Sequence, residues 1–390
     1  MAYLESKPRY EILDGLRGVA AFMVIAFHLI ESYQSPSLSN TYFTHGYLAV
    51  DFFFALSGFV MGYAYDDRWG KMSIGDFFKR RIIRLHPMVV CGAVVGVCFF
   101  YYSGDFEMFG KVDEAQWWML LFQAVLLIFM IPLPSSMDIR GWGELTSING
   151  PVWTLMFEYV ANILYALFFR HMGKIALAFL VGLAAILTAD CCLHLNLFGL
   201  LESDWNSYSV VGGFMFNPEH IYIGYTRLLY PFLVGLLLSR IGKTIKVGNG
   251  FAIASLMIAV LLCMPKLGGE ERIIDGIYQM FCILVMFPIV LLIGAGSSLK
   301  GKTSSRLCVF LGKISFPIYI THYPLIYMHM SWVQRHLDAP LGTHILVAIS
   351  TMLIAIALAW SALKLYDEPV REWLKNKVLH KKETQIHKMK

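Results

Sequence analysis

Charged residues are scarce in this sequence. Only 15% of its 390 residues are Asp, Glu, Lys or Arg, whereas soluble globular domains average about 25%. Hydrophobic residues make up 57%, and the mean hydropathy is +0.59. This composition excludes an ordinary soluble domain. The net charge of +5 is therefore better explained by basic loops beside a membrane than by a nucleic-acid partner.

Paired cysteines and a signal peptide are also missing. The seven cysteines form no C-x-x-C pair, and four of them (Cys91, Cys98, Cys263 and Cys282) lie inside apolar runs. We therefore expect free thiols, with no disulfide framework and no metal site. The first apolar stretch carries Arg17, is too long for a signal peptide and lacks a small-residue cleavage site.

Long apolar runs dominate the chain instead. Eleven segments approach the roughly 20 residues that a helix needs to cross the hydrocarbon core. They lie at about 13–31, 46–65, 84–102, 116–133, 152–170, 174–192, 223–240, 250–265, 275–296, 308–328 and 343–366. All should be helices, because lipid leaves the edge of an open sheet without hydrogen-bond partners. The predicted fold class is an all-α, polytopic transmembrane helix bundle.

The distribution of Lys and Arg orients these segments. Lys7 and Arg9, the basic 66–84 segment and the basic C-terminal end are all expected in the cytoplasm. This arrangement holds only if 116–133 does not cross, and Gln123 in the middle of that run agrees. We therefore predict ten spans plus one re-entrant or interfacial segment, with both termini cytoplasmic. Residues 1–372 would form one transmembrane domain, followed by a basic cytoplasmic tail at 373–390.

A few ionisable residues fall inside the predicted spans, where each costs roughly 2.5–3.5 kcal/mol and so suggests a function. They are Arg17, His28, Asp51, Glu158, Arg227, Lys313 and His322. Arg227 and Lys313 lie near span ends, so we expect them to extend to the interface. Arg17 and His28 share nearly one helix face and are about 16 Å apart along the axis.

Four of these residues are predicted to lie at one depth near the outer surface. They are His28, Asp51, Glu158 and His322. Two imidazoles and two carboxylates at one level provide a base of near-neutral pKa and a group to orient it, as proton transfer requires. Two simpler interpretations stay open: Asp51 as a helix cap, and His322 as a packed, hydrogen-bonded histidine.

A basic cluster lies at the opposite, inner end of the third span. It contains Lys79, Arg80, Arg81 and Arg84. Arg81 and Arg84 share a helix face at i, i+3 spacing. Such a cluster suits a polyphosphate ligand, but it equally suits anionic lipid headgroups. The residues alone leave both interpretations open.

Taken together, these segments resemble acyltransferase family 3, a family of membrane proteins, over about residues 10–372. The resemblance rests on six motifs in the family's order: LDGLRGVAAFMVIAFH with Arg17 and His28, GYLAVDFFFALSGFVM with Asp51, FFKRRIIRLHP with Arg81 and Arg84, GPVWTLMFEY with Trp153 and Glu158, LGKISFPIYITHYPLI with His322, and YDEPVREW with Glu368 and Pro369. Ala49, Thr154 and His86 depart mildly from the usual residues. Six motifs in one order are far more specific than any single one.

The resemblance implies a bacterial inner-membrane O-acyltransferase, with acetyl the expected group. The donor would be cytoplasmic acetyl-CoA or another acyl-CoA, and the acceptor a sugar hydroxyl of an envelope polysaccharide or glycolipid. Neither a metal nor nucleic acid is implied. The expected roles are coenzyme A binding by Arg17, Arg80, Arg81 and Arg84, catalysis by His28 with Glu158 or Asp51 orienting it, and substrate binding by His322 and Trp153.

Within these roles, His28 acts as general base or carries the acyl group itself. The alternative function is a proton-coupled transporter or exporter using the buried His and Glu as a relay. Against it, the chain shows no two-fold repeat of broken helices. The acyl group, the acceptor and the oligomeric state are left open by the sequence.

Overall fold

The structure is a computed structural model that describes residues 7–33, 43–102, 114–140, 142–269 and 271–380. Within these ranges the protein is helical and contains no strand, only an isolated bridge between Glu144 and Met215. The α-helices are α1 (Glu11–Glu31), α2 (Ala49–Tyr65), α3 (Ile74–Tyr102), α4 (Glu114–Ile128), α5 (Trp153–Leu167), α6 (Lys174–Leu193), α7 (Pro218–Ile241), α8 (Gly250–Cys263), α9 (Arg272–Phe281), α10 (Phe287–Gly296), α11 (Lys302–Arg335), α12 (Leu341–Ser361) and α13 (Glu368–Leu374).

The predicted all-helical membrane fold is confirmed. Eight helical stretches in the described ranges are long and apolar enough to cross a membrane. They are Glu11–Glu31, Gly46–Tyr65, Ile74–Tyr101, Gly150–His171, Lys174–Leu193, Pro218–Ile241, Arg272–Gly296 and Leu341–Leu379. The other two predicted spans correspond to α8, which has 14 residues, and to α11, which has 34. The total of ten spans stays a prediction.

Two helix pairs form the centre of the bundle: α1 packs along α11, and α2 packs along α7. The backbones of α2 and α7 touch. A Cβ at Gly58 would lie 1.9 Å from the Phe232 carbonyl oxygen, and one at Gly235 would lie 2.0 Å from the Ala55 carbonyl oxygen. Small residues allow such close approach between membrane helices, where dispersion contacts replace the hydrophobic effect as the force for packing.

Polar contacts mark the two ends of the bundle. At the end that we call the first face, they join Lys7 with Asp67, Arg240 with Asp66, and Ser305 with Glu11. At the opposite end, the second face, they join His45 with Asp275 and Tyr327 with Glu144. Helix α1 begins at the first face and ends at the second.

The segment predicted to be re-entrant contains α4, which has 15 residues and a length of about 22 Å. This is shorter than the roughly 30 Å hydrocarbon core. Gln123 is buried, accepts a hydrogen bond of 2.8 Å from the Ser147 hydroxyl and donates to the Met137 carbonyl. The following loop thus satisfies the amide in the middle of the apolar run. Whether α4 crosses the membrane stays a prediction.

The C-terminal part of the chain differs from the expectation. A span was predicted at 343–366, but helical structure continues from Leu341 to Leu379. It includes π-helical turns at Ala362–Asp367 and Lys375–His380. The predicted boundary between domain and tail, at residues 372 and 373, therefore falls inside a helix. Residues 381–390 of the predicted tail lie outside the described residues.

Candidate active site

His28 and Glu31 form a pair near the end of α1, at the second face. The Nδ1 atom of His28 lies 2.7 Å from Oε2 of Glu31, and the two side chains are 16% and 33% exposed. An ionised carboxylate only accepts hydrogen bonds, so Nδ1 carries the proton and Nε2 keeps a free lone pair. The sequence reasoning missed Glu31, although its i, i+3 spacing from His28 on a helix was a usable signal.

The structure brings His322 to His28. The two ring centroids are 5.7 Å apart with a tilt of 30°. Nδ1 of His322 donates to the Tyr319 carbonyl at 2.9 Å, which fixes its tautomer. Its Nε2 is buried and has no hydrogen-bond partner among the residues that the structure describes. Tyr323 packs against His28 with ring centroids 4.8 Å apart.

A second carboxyl group that the sequence reasoning missed lies in the same region. Glu144, in the loop before α5, is buried and accepts a hydrogen bond of 2.9 Å from the Tyr327 hydroxyl. Burial raises the pKa of Glu144 to about 8, and the Arg140 guanidinium opposes that rise. The charge of Glu31 adds to the increase, so the two carboxyl groups are within electrostatic range. Glu144 is therefore mostly protonated at neutral pH.

Asp51 lies elsewhere, in a buried ion pair with Arg227. Oδ2 of Asp51 is 2.7 Å from Nη2 of Arg227, and their side chains are 0% and 3% exposed. Arg227 also donates to the Tyr47 carbonyl at 2.7 Å and stacks near the buried Trp153 ring. The expectation that Arg227 extends to the interface is wrong, because Asp51 compensates its charge within the bundle. Trp153 packs beneath this ion pair and is only 6% exposed.

Glu158 also has other partners. Its Oε1 accepts from the Ser57 hydroxyl at 2.7 Å and from Nη2 of Arg81 at 2.6 Å. Arg81 donates from Nε to Asn162 at 2.8 Å, so this network joins α2, α3 and α5. The expectation that Glu158 or Asp51 orients His28 is therefore wrong. For Asp51 the error is one of helix rotation, which depth along a helix does not give. For Glu158 the predicted depth also fails, because its partner Arg81 was expected at the opposite, inner end of the bundle.

Four arginines converge toward the first face, and we call them the arginine cluster: Arg9, Arg17, Arg84 and Arg371. Arg17 lies within electrostatic range of the other three. It is held by hydrogen bonds of 2.8 Å to the Ser315 hydroxyl and the Gly312 carbonyl. Arg84 is exposed on α3.

The arginine cluster carries a surplus of positive charge. Arg17 lies 3.6 Å from Asp14, and Arg371 forms an ion pair with Asp367. Among the described residues, Arg9 and Arg84 have no carboxylate within salt-bridge distance. The neighbouring Arg81 is already neutralised by Glu158. Arg17 and Arg81 each have two nitrogens in hydrogen bonds, but only Arg81 donates to a carboxylate. Of the predicted coenzyme A ligands, Arg84 and Arg17 are thus better placed for an anion than Arg81.

Arg80 makes a smaller contribution to this region. It is partly exposed, and its Nε is buried without a hydrogen-bond partner among the described residues. It lies beside Arg81 on α3, but not within the arginine cluster as defined above. The structure therefore divides the predicted basic segment into one paired arginine and two that keep hydrogen-bonding capacity.

Comparison with known proteins points to one family. The acyltransferase 3 family model, described as an acyltransferase domain, matches residues 10–363. Acyltransferase MdmB of Streptomyces mycarofaciens is 25% identical over 333 residues, which cover 82% of this chain and 79% of that protein. A "Putative O-acetyltransferase" of Staphylococcus aureus strain COL is 23% identical over 352 residues, or 83% of this chain.

Coverage of the relatives varies. The chain spans about half (52%) of the staphylococcal protein's length. "Protein 2 in picA locus" of Rhizobium radiobacter is 33% identical over 168 residues, which are 40% of this chain and 81% of that protein. No solved structure matches the chain.

Proposed function

The chain belongs to the acyltransferase 3 family, and from that premise we propose that it is a membrane O-acyltransferase that acetylates a sugar hydroxyl. The donor is acetyl-CoA or another acyl-CoA from the cytoplasm. The acceptor is an envelope polysaccharide or glycolipid. One observation carries the proposal: α1 holds a cation at one end, within the arginine cluster, and an oriented imidazole at the other end.

The proposed topology has ten spans in a bacterial inner membrane, with both termini in the cytoplasm. The first face is then cytoplasmic, where acyl-CoA is available. The basic residues of the 66–84 segment and of the C-terminal end support this orientation, because cytoplasmic loops carry an excess of Lys and Arg. The second face, with His28 and Glu31, is directed toward the acceptor.

The length of the donor fits this arrangement. About twelve bonds join the diphosphate of coenzyme A to its sulphur, which equals about four residues of extended chain, or roughly 14 Å. Arg17 and His28 are separated by eleven positions on α1, or about 16 Å along the helix axis. A diphosphate held by Arg17 and Arg84 would thus place the thioester close to the imidazole. Guanidinium donors suit phosphate oxygens. Arg84 can offer a bidentate contact, and Arg17 can offer the nitrogen that Ser315 and Gly312 do not use.

His28 acts as the general base in the proposed reaction. The sugar hydroxyl oxygen attacks the thioester carbonyl carbon while Nε2 of His28 takes the hydroxyl proton. The carbon–sulphur bond then breaks, and the proton passes from Nε2 to the thiolate of coenzyme A. Glu31 keeps the proton on Nδ1 and stabilises the imidazolium that forms between these steps. Nε2 of His322 is available to hold the acceptor hydroxyl.

Transfer of labelled acetyl groups in membranes tests this function. Membranes containing the wild type, His28→Ala or His336→Ala receive radiolabelled acetyl-CoA, and label in polysaccharide and glycolipid is measured. His336 is an exposed histidine at the end of α11, so it controls for the substitution itself. We expect label with the wild type and His336→Ala and none with His28→Ala. Equal labelling by all three would remove His28 from the reaction.

A further inference from the structure

Helix α13, in the C-terminal part of the chain, brings a charged residue to the region of the arginine cluster. Between α12 and α13 the helix widens into a π-helical turn at Ala362–Asp367. Such turns are rare and often occur at functional sites. Helix α13 packs on α3, the helix that carries Arg84. The ion contact between Lys313 and Glu368, at 4.0 Å, joins this region to the first half of α11.

A buried carboxylate positions Arg371 on this helix. Asp367 is only 1% exposed, and it forms an i, i+4 ion pair with Arg371. Neither carboxylate oxygen of Asp367 has a hydrogen-bond partner among the described residues, so the guanidinium is its compensating group there. The Arg371 side chain is 27% exposed, which leaves part of the guanidinium open to a ligand.

Besides the carboxylates of Asp367 and Glu368, Arg371 has cationic neighbours. It lies within electrostatic range of Arg17, as does Arg9. Like charges repel, and this repulsion is larger near a low-dielectric interior than in water. An arrangement that brings these guanidinium groups together is stabilised by a polyanion that contacts several of them.

The direction of the donor assigns its parts to different arginines. With the diphosphate beside Arg17 and Arg84, the pantetheine arm extends toward His28 at the second face. The nucleotide must then extend the other way, toward the first face. Arg371 lies nearer to that side than His28 does, because α12 leads the chain away from the second face and α13 then packs on α3, the helix that carries Arg84.

We propose that Arg371 binds the 3′-phosphate of the donor nucleotide and that Asp367 positions its guanidinium for this contact. This inference rests on the proposed function, because it takes acyl-CoA as the donor. It adds a nucleotide subsite, formed by the C-terminal helix, to the diphosphate site of Arg17 and Arg84. The subsite selects coenzyme A over a donor that lacks the 3′-phosphate.

Binding of coenzyme A and of 3′-dephospho-coenzyme A, which differ only in this phosphate, tests the proposal. Both are titrated by calorimetry into the purified full-length protein in detergent. For the wild type we expect dephospho-coenzyme A to bind roughly 10- to 100-fold more weakly, as for the loss of one charge-assisted contact. In Arg371→Gln the two ligands should bind equally, at the wild-type affinity for dephospho-coenzyme A.

Two further variants make the result decisive. Arg306→Gln removes an exposed charge from the first half of α11, outside the arginine cluster. It should keep the wild-type ratio between the affinities for coenzyme A and for dephospho-coenzyme A, which we call the affinity ratio. The double variant Asp367→Asn/Arg371→Gln avoids an unpaired buried carboxylate, so it should fold and bind the two ligands equally. If Arg371 variants keep the affinity ratio, the subsite is refuted while the proposed function stands. If the wild type binds neither ligand, the proposed function itself fails.

Discussion

Replacing Glu31 by Gln tests the geometry of the proposed base. The carboxylate of Glu31 accepts a hydrogen bond from Nδ1 of His28 at 2.7 Å. An amide at this position keeps the size of the side chain but can donate as well as accept. It therefore permits the tautomer in which Nε2 carries the proton, and in that tautomer Nε2 cannot take a proton from the acceptor.

The size of the effect follows from exposure. Hydrogen bonds to charged groups contribute about 1.5–3 kcal/mol, but Glu31 is 33% exposed and His28 is 16% exposed, so solvent weakens the interaction. We expect kcat to fall about 10- to 100-fold, which corresponds to about 1.4–2.7 kcal/mol of transition-state stabilisation. Binding of coenzyme A should not change, because Glu31 lies at the opposite end of α1 from Arg17.

The assay measures initial rates of acetyl transfer in membranes at saturating acetyl-CoA, together with coenzyme A affinity. Glu202→Gln is the matched control, because Glu202 is an exposed loop carboxylate and its loss should leave both quantities unchanged. An unchanged rate in Glu31→Gln would refute the role of Glu31. A loss of coenzyme A affinity with an unchanged kcat would contradict the separation of the donor and base ends of α1.

Three further predictions concern stability. Asp51→Ala or Arg227→Met should each lower the free energy of unfolding by about 3–5 kcal/mol, because either leaves a buried charge unpaired. Asp51→Leu combined with Arg227→Met should recover most of the lost stability. Equal losses in the single and double variants would contradict the mutual compensation of these two charges. The pKa of Glu144 is raised from 4.5 to about 8. Its contribution to the free energy of unfolding is therefore fully present below pH 4.5 and is lost as the pH rises to about 8. Glu144→Gln should flatten this decrease in thermal-shift measurements, and an unchanged pH profile would refute the assignment. Gly58→Val should destabilise by about 1–3 kcal/mol or more, because α2 must move away from α7, whereas Gly70→Val, with open space around it, should have little effect in the same denaturation assay.

Much of the fold follows from the sequence because the bilayer restricts what a chain can do. Runs of about 20 apolar residues can only be helices there, and the predicted segments agree with the eight span-like stretches. Helix α8 is short and α11 is long, so neither length alone decides a crossing. The continuation of helix beyond residue 366 was missed, because its polar sequence lacks an apolar run.

The site was predicted less well, for a geometric reason. Position along a helix gives depth, and His28 and His322 do meet. Depth does not give rotation, so Asp51 was wrongly expected to face His28, and it pairs with Arg227 instead. Glu158 pairs with Arg81, so the predicted outer depth of Glu158 and the predicted inner depth of Arg81 cannot both hold. Glu144 lies in a loop whose path no periodicity predicts.

Acetyl transfer in oriented membrane vesicles tests the central claim most directly. The claim is that the donor enters at the first face, beside the arginine cluster, and reacts beside His28 at the other end of α1. Two vesicle preparations that contain the native acceptor are compared, one inside-out and one right-side-out. Radiolabelled acetyl-CoA, which does not cross the membrane, is added to the external medium of each. The account predicts labelled glycan in inside-out vesicles with the wild type, and none there with His28→Ala. Equal labelling in right-side-out vesicles, or labelling there alone, would contradict it.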